Sequence, residues 1–121
     1  MDFPDLTTRL QKFADERDWE QFHSPKNLAM ALSVEVAELL EHFQWLSEGE
    51  SRNLSSATKG DVAREIADVQ IYLVRLADKL GIDILQAAEA KIQENEAKYP
   101  ISRAKGSARK YTRHPDEEPS A

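Results

Sequence analysis

The chain has 121 residues, with 22 Asp and Glu against 16 Lys and Arg, and no cysteine. This length suits one domain with one core, and the absence of cysteine excludes disulfides and thiolate metal sites. The net charge of −6 argues against binding to nucleic-acid polymers or anionic membranes. No apolar run approaches the roughly 20 residues of a membrane span. The acidic N-terminus lacks a signal-peptide core, so we expect a cytoplasmic protein.

Four segments carry apolar residues at helical spacing, and none alternates as a strand would. The predicted helices cover about residues 5–18, 26–48, 57–80 and 84–98. The pattern predicts an all-α fold, a four-helix bundle-like subunit, with a loop over residues 47–56. We predict a domain over residues 1–100 and an irregular tail over 101–121, first basic and then acidic.

The ends of the helices carry recognisable start and stop signals. Ser24 is expected to cap the second helix, with Pro25 in its first turn. Gly81 is a typical C-terminal cap of the third helix. Asp83 is expected to cap the fourth, with Gln86 as its capping-box partner.

The two central helices each carry an apolar stripe that should face the core. The stripes are Leu28, Leu32, Val36, Leu39, Phe43 and Leu46 on the second helix, and Val62, Ile66, Val69, Leu73, Leu76 and Leu80 on the third. Both helices have further apolar residues outside these stripes, such as Met30 and Val74. Each helix should therefore bury a second face, which indicates oligomerisation.

Two acidic pairs flank these stripes, Glu35 with Glu38 on the second helix and Glu65 with Asp68 on the third. Residues three apart share one face of a helix. If the two helices fold back as an antiparallel hairpin about residues 51–52, the pairs come level. Four adjacent carboxylates repel strongly unless a cation holds them. The register therefore predicts a metal site.

Oxygen ligands of this kind suit magnesium, which prefers carboxylates and substrate phosphates. A bound ion would offset the acids and lower the pKa of an attacking water. The plain alternative is that the acids are solvated charges on helix surfaces. A di-iron site is a weaker rival, because it needs Glu-x-x-His pairs and His42 lies four residues after Glu38.

A second group of residues could contact a nucleobase. Trp19, His23 and Trp45 form this group. Aromatic faces stack on bases, although tryptophans are also common as core or interface anchors, and His23 could contact a base edge or be a simple loop residue. Tyr72, one turn beyond Asp68, could hydrogen-bond a sugar or phosphate, or simply pack. Lys91, Asn95 and Lys98 share a stripe of the fourth helix that could meet phosphate or be an ordinary solvated face.

These acidic pairs resemble the E-x-x-E…E-x-x-D signature of the all-α nucleoside triphosphate pyrophosphohydrolases, the MazG-like superfamily. Further segments are similar to its dCTP pyrophosphatase branch. They are ERDWEQFH at 16–23, PKNL at 25–28, FQW at 43–45, DVQIYL at 68–73, YP at 99–100 and RKYT at 109–112. One position departs from the branch, because Leu10 stands where the branch has a histidine.

The resemblance implies magnesium-dependent hydrolysis (with manganese as an alternative ion) of nucleoside triphosphates, dCTP or modified dCTP, to the monophosphate and pyrophosphate. The residues implied are Glu35, Glu38, Glu65 and Asp68 for metal binding and catalysis, and Trp19, His23, Trp45, Tyr72, Lys91 and Asn95 for substrate binding. It also implies a homotetramer, a dimer of dimers. Two other functions stay open: a non-catalytic nucleotide or metal sensor, and a helical interaction module. The sequence does not determine the preferred base.

Overall fold

A computed structural model describes residues 1–108, and all regular structure among them is helical, which confirms the predicted fold class. The helices are α1 (Phe3–Glu16), α2 (Pro25–Glu41), α3 (Glu48–Arg52), α4 (Ser56–Lys79), α5 (Ile84–Lys98) and α6 (Ile101–Ala104). A 3-10 turn, Glu20–Phe22, connects α1 to α2. Within these residues, no helix combines the length and hydropathy that crossing a bilayer requires.

Side chains of the residues before the helices satisfy the free amides of the first turns. The Ser24 hydroxyl accepts from the Asn27 amide (3.1 Å), and the Asp83 carboxylate accepts from the Gln86 amide (2.9 Å). Both caps agree with the sequence prediction, although at Asp83 only this bond of the predicted capping box is present among the described residues. At the other end of α4, Gly81 adopts a left-handed φ of 66°. The Ile82 amide then donates to the Ala77 carbonyl (2.8 Å), the bond that closes a Schellman motif.

The predicted second helix is too long, because α2 ends at Glu41 rather than near residue 48. The amides of Phe43 and Gln44 both donate to the Leu40 carbonyl, so the chain tightens into turns. Ser47 is extended and forms a capping box with Glu50, which starts α3. A capping residue cannot continue the preceding helix. The predicted loop over residues 47–56 therefore contains a short helix.

The first helix also ends earlier than predicted, at Glu16, and Asp18 has a left-handed φ of 55°. Residues 101–104, expected to be irregular, form the short helix α6 after Pro100. Arg109, Lys110 and Arg113 of the predicted basic segment lie outside the described residues. The division into a domain over 1–100 and a tail over 101–121 stays a prediction.

The chain forms two compact units, Met1–Ile82 and a second that begins at Asp83. In the first unit, α4 packs against both α1 and α2, and the α2–α4 pair is the predicted hairpin. The buried apolar residues are Ala14, Leu28, Val62, Val74 and Ala77. The core that positions the functional side chains thus lies along α4.

The predicted stripe of the third helix is half wrong. Val62 is buried, but Ile66, Leu73 and Leu80 are exposed, while Val74, assigned to the far side, is 2% exposed. On α2, Leu28 is buried as predicted and Val36 is 47% exposed. Both helices are apolar on two faces, so periodicity alone could not identify the face that packs within one chain.

Candidate functional site

Three of the four predicted carboxylates meet between α2 and α4. Glu35, Glu38 and Glu65 each place a carboxylate oxygen within 4.8 Å of the other two, and all three side chains are half-buried. Glu35 and Glu38 lie one turn apart on α2, and Glu65 faces them from α4. The antiparallel register predicted from the sequence is therefore confirmed.

This acidic cluster contains buried carboxylate oxygens that no hydrogen-bond donor satisfies among the described residues. The Oε2 atoms of Glu35 and Glu65 are buried and have no hydrogen-bond partner among the described residues. Burial, reinforced by Glu38 and the other carboxylates nearby, raises the pKa of Glu35 to about 7. Burial and the neighbouring carboxylates also raise the pKa of Glu65, although His42, whose Nε2 lies 4.0 Å from Glu65 Oε1, opposes this.

Asp68, the fourth predicted ligand, is exposed and lies outside this close group. Its charge nevertheless contributes to the raised pKa of Glu35 and Glu65. Its role as a ligand stays a prediction.

The cluster fits a divalent cation. Buried carboxylate oxygens without partners are costly, and here they belong to residues from facing helices whose oxygens converge. An all-oxygen donor set matches a hard ion such as Mg²⁺ or Mn²⁺. The residues present therefore suit the predicted metal.

Further along α4 lies an aromatic cavity of about 280 Å³. Its walls are Leu10, Phe13, Ala14, Trp19, His23, Ile71, Tyr72 and Arg75. The Trp19 ring lies edge-on to Phe13, with centroids 5.5 Å apart, and 6.2 Å from His23. The structure thus brings together Trp19 and His23 of the predicted base group, with Tyr72 beside them. It also places Leu10, the residue that departs from the family branch, in the same wall.

The other predicted binding residues lie elsewhere. Trp45 follows the end of α2, is 88% exposed and does not line the cavity. Lys91 and Asn95 lie on α5, in the second unit, and Lys91 Nζ is 3.5 Å from Glu94 Oε2. Their roles in substrate binding stay predictions.

Sequence reasoning missed Arg75, which is 3% exposed and lines the cavity. A signal was present, because polar residues recur at helical spacing along one flank of α4 and continue past Tyr72. This polar flank consists of Asp61, Glu65, Asp68, Tyr72, Arg75 and Lys79. Its charge changes from acidic to basic along α4, so the acidic cluster and the cavity lie at successive positions on one face.

Comparison with known proteins gives the family. A profile of the MazG-like family matches residues 30–113. The chain belongs to the MazG-like family. It is 45% identical over 106 residues to dCTP pyrophosphatase 1 of Homo sapiens, covering 86% of this chain and 62% of that protein. Its identity to dCTP pyrophosphatase 1 of Mus musculus is 48% over 103 residues, covering 84% and 61%.

A solved structure shows the same fold. A pyrophosphatase from Archaeoglobus fulgidus DSM 4304 is 47% identical, with a TM-score of 0.76 over 80% of this chain and 91% of that one. The MazG-like chain described here spans about 62% of the length of the human relative.

Proposed function

We propose that this protein hydrolyses deoxynucleoside triphosphates, with dCTP or a modified dCTP preferred, to the monophosphate and pyrophosphate. The observation that carries the proposal is the placement of an uncompensated acidic cluster and an aromatic cavity along one flank of α4. The relatives named dCTP pyrophosphatase 1 and the archaeal pyrophosphatase support it. Such an enzyme would remove unwanted nucleotides from the cytoplasmic pool.

Magnesium, or manganese in its place, would be held by Glu35, Glu38 and Glu65, with Asp68 completing the set. When bound, the ion would offset the charges of the carboxylates and phosphates and lower the pKa of the attacking water. One carboxylate of the cluster accepts the proton of the water that attacks the α-phosphate. Glutamate-to-glutamine variants would identify it.

The aromatic cavity would hold the base, beside the acidic cluster that would hold the metal and the phosphates. Trp19 and Tyr72 supply ring surface, and stacking on such rings contributes about 1–3 kcal/mol per base. Its volume of about 280 Å³ suits a single base rather than a whole nucleotide. We further propose that Lys91 and Asn95 contact phosphate and that Trp45 contributes to the base site.

A homotetramer, built as a dimer of dimers, is the assembly we propose. Met30, Val34 and Leu40 on α2 are each more than half exposed, at 58%, 55% and 57%. Ile66 on α4 is similarly exposed, at 54%. Large apolar side chains exposed in this way favour association. Size-exclusion chromatography with light scattering should give four times the 13.7 kDa chain mass, and a monomeric mass would contradict the proposal.

The direct test of function is to incubate the protein with dCTP and Mg²⁺ and to quantify both products. We expect equal amounts of dCMP and pyrophosphate. Binding of dCTP in calorimetry without pyrophosphate release would instead indicate a sensor. If Mg²⁺ also failed to raise the melting temperature, the acids would be solvated charges and the protein a helical interaction module.

A further inference from the structure

Arg75 is a buried cation in an otherwise largely apolar wall. It is 3% exposed, next to Val74 at 2%, and it lines the cavity with Trp19 and His23. Burying a guanidinium is costly unless its donors are paired. Its partners should therefore indicate what it contributes to the cavity.

The guanidinium is held on several sides. Its Nη1–H donates to Gln11 Oε1 at 2.7 Å and lies 3.6 Å from Asp78 Oδ2, while Nη2–H donates to Glu20 Oε2 at 3.2 Å. Lys79 also pairs with Glu20. Two cations and two carboxylates thus neutralise one another, and contacts from α1, the 3-10 turn and α4 fix the Arg75 side chain in place.

The last partner is His23, whose Nδ1 lies 3.1 Å from Arg75 Nη2. A guanidinium carries only donors, so His23 Nδ1 must accept this bond and cannot hold a proton. The ring proton of the neutral imidazole is then on Nε2. Burial and the charge of Arg75 both lower the pKa of His23, which favours this neutral form.

Arg75 also contributes a free donor of its own. Its Nε–H is buried and has no partner among residues 1–108. Buried donors without acceptors are rare because they cost free energy. An acceptor atom on a bound ligand would satisfy it.

We propose that Arg75 is a positioning residue for base recognition: it holds His23 as the Nε2–H tautomer, so that the cavity presents a hydrogen-bond donor to the base. The ligand atom that meets it must be an acceptor, a ring carbonyl oxygen or an unprotonated ring nitrogen. Cytosine offers both, at O2 and N3. The identity of the ligand as a nucleotide rests on the proposed function, whereas the state of His23 does not.

Long-range ¹H–¹⁵N correlation spectra of the imidazole test the first step. We expect neutral wild-type His23 to be protonated at Nε2 alone, and its pKa to lie below the ordinary histidine value. Arg75→Gln should give mixed tautomers and a raised pKa, because a neutral amide offers an acceptor as well as donors. Arg75→Lys keeps the charge but not the guanidinium fork, so it should give mixed tautomers with a smaller rise in pKa. A proton on Nδ1 of wild-type His23, or no change in either variant, would overturn the proposal.

Calorimetric binding of dCMP, dTMP, dAMP and dGMP with Mg²⁺ tests the second step without requiring hydrolysis. Arg75→Gln and His23→Phe should each weaken dCMP binding by about 10-fold. The double variant should be no weaker than the weaker single one, since both remove the same donor. Arg9→Gln changes an exposed arginine of α1 and should bind as wild type does.

The outcomes separate the two proposals. If the losses of dCMP affinity in the two single variants multiply in the double variant, the role proposed for Arg75 is contradicted. The same holds if none of the four nucleotides binds. Selective dCMP binding that depends on Arg75, in a protein that releases no pyrophosphate from dCTP, would support this inference and refute the proposed hydrolysis. If the glutamine variant does not fold by circular dichroism, the lysine variant, which keeps the charge, gives the decisive comparison.

Discussion

The two ends of the polar flank of α4 handle charge in opposite ways. At the acidic end, Glu65 meets Glu35 and Glu38, and two buried oxygens have no partner among the described residues. At the basic end, Arg75 is more deeply buried, but its partners Glu20 and Asp78 balance its charge and that of Lys79. The acidic end has excess negative charge, whereas the charges of the basic end balance and only the Arg75 Nε–H lacks a partner among the described residues.

This difference indicates what each end can do. A set of carboxylates whose pKa values are raised, as those of Glu35 and Glu65 are, favours a bound cation, because His42 offsets their mutual repulsion only in part. The ion-pair network around Arg75 is neutral and rigid instead, which suits it to holding His23 in one orientation. Under the proposed function, the acidic end would supply reactivity and the basic end would supply selection of the base.

Removing a charge at the acidic end should have the largest effect. Glu38→Gln and Glu65→Gln should each reduce turnover of dCTP by about 10²–10⁴-fold, because metal binding and proton transfer both depend on these carboxylates. Circular dichroism should show an intact fold. Glu41→Gln, at an exposed site on the same helix, is the matched control and should keep full activity. Wild-type turnover in the Glu38 and Glu65 variants would show that the acidic cluster takes no part in catalysis.

At the other end, truncating an aromatic wall should weaken binding rather than chemistry. Trp19→Ala should raise KM for dCTP with little change in kcat, because it removes stacking of about 1–3 kcal/mol. Phe22→Ala is the control, since Phe22 lies on the neighbouring 3-10 turn, is 59% exposed and does not line the cavity. Equal KM changes in both variants would show that the cavity is not the base site.

A smaller effect is expected from Leu10, the wall residue that departs from the dCTP pyrophosphatase branch. Leu10→His should increase the preference for dCTP over dTTP by less than about 10-fold, because it adds one polar contact to an apolar pocket. Leu10→Met, which keeps the wall apolar and of similar volume, should leave the preference unchanged. An unaltered ratio in the histidine variant would mean that this position does not meet the base.

The smallest effect is on stability. The folded-state pKa of Glu35 is raised from 4.5 to about 7, so the folded state holds its proton more tightly than the unfolded chain. The stability this gives is present below pH 4.5 and is lost as the pH rises through about 7. Metal-free protein should therefore melt several degrees lower at pH 7.5 than at pH 5.

Two comparisons check this assignment by thermal melting. Glu35→Gln should flatten the pH dependence, whereas Glu41→Gln should not. Mg²⁺ should stabilise the wild type much more at pH 7.5 than at pH 5, because protonated carboxylates do not bind it. Stability that rises steadily from pH 5 to pH 7.5 without metal would contradict the uncompensated cluster.

The sequence predicted the parts of this site that depend on local spacing. Helical periodicity and the symmetry of a hairpin predict that Glu35, Glu38 and Glu65 lie level with one another across α2 and α4. The structure confirms this placement. Caps at Ser24 and Asp83 were recognisable because the capping side chain and its amide lie three residues apart. The capping box of Ser47 and Glu50 has the same three-residue spacing and marks the start of α3. The predicted extension of the second helix to about residue 48 conflicts with this box.

The parts that depend on tertiary packing were harder to predict. Val74 and Ile66 are both apolar residues of α4, yet one is 2% exposed and the other 54%. Which apolar face packs within the chain depends on the partner helices rather than on α4 itself. Arg75 was missed for a related reason, because a lone arginine is usually solvated and its partner Gln11 lies 64 positions away.

Titration with Mn²⁺, followed by paramagnetic broadening of backbone amide signals, tests the central claim most directly. If the acidic end is a cation site built by α2 and α4, broadening should begin around Glu35, Glu38 and Glu65, and signals around the exposed acids Glu48 and Glu50 should remain sharp. Broadening that spreads evenly over all acidic surfaces, and that Glu35→Gln does not reduce, would contradict it.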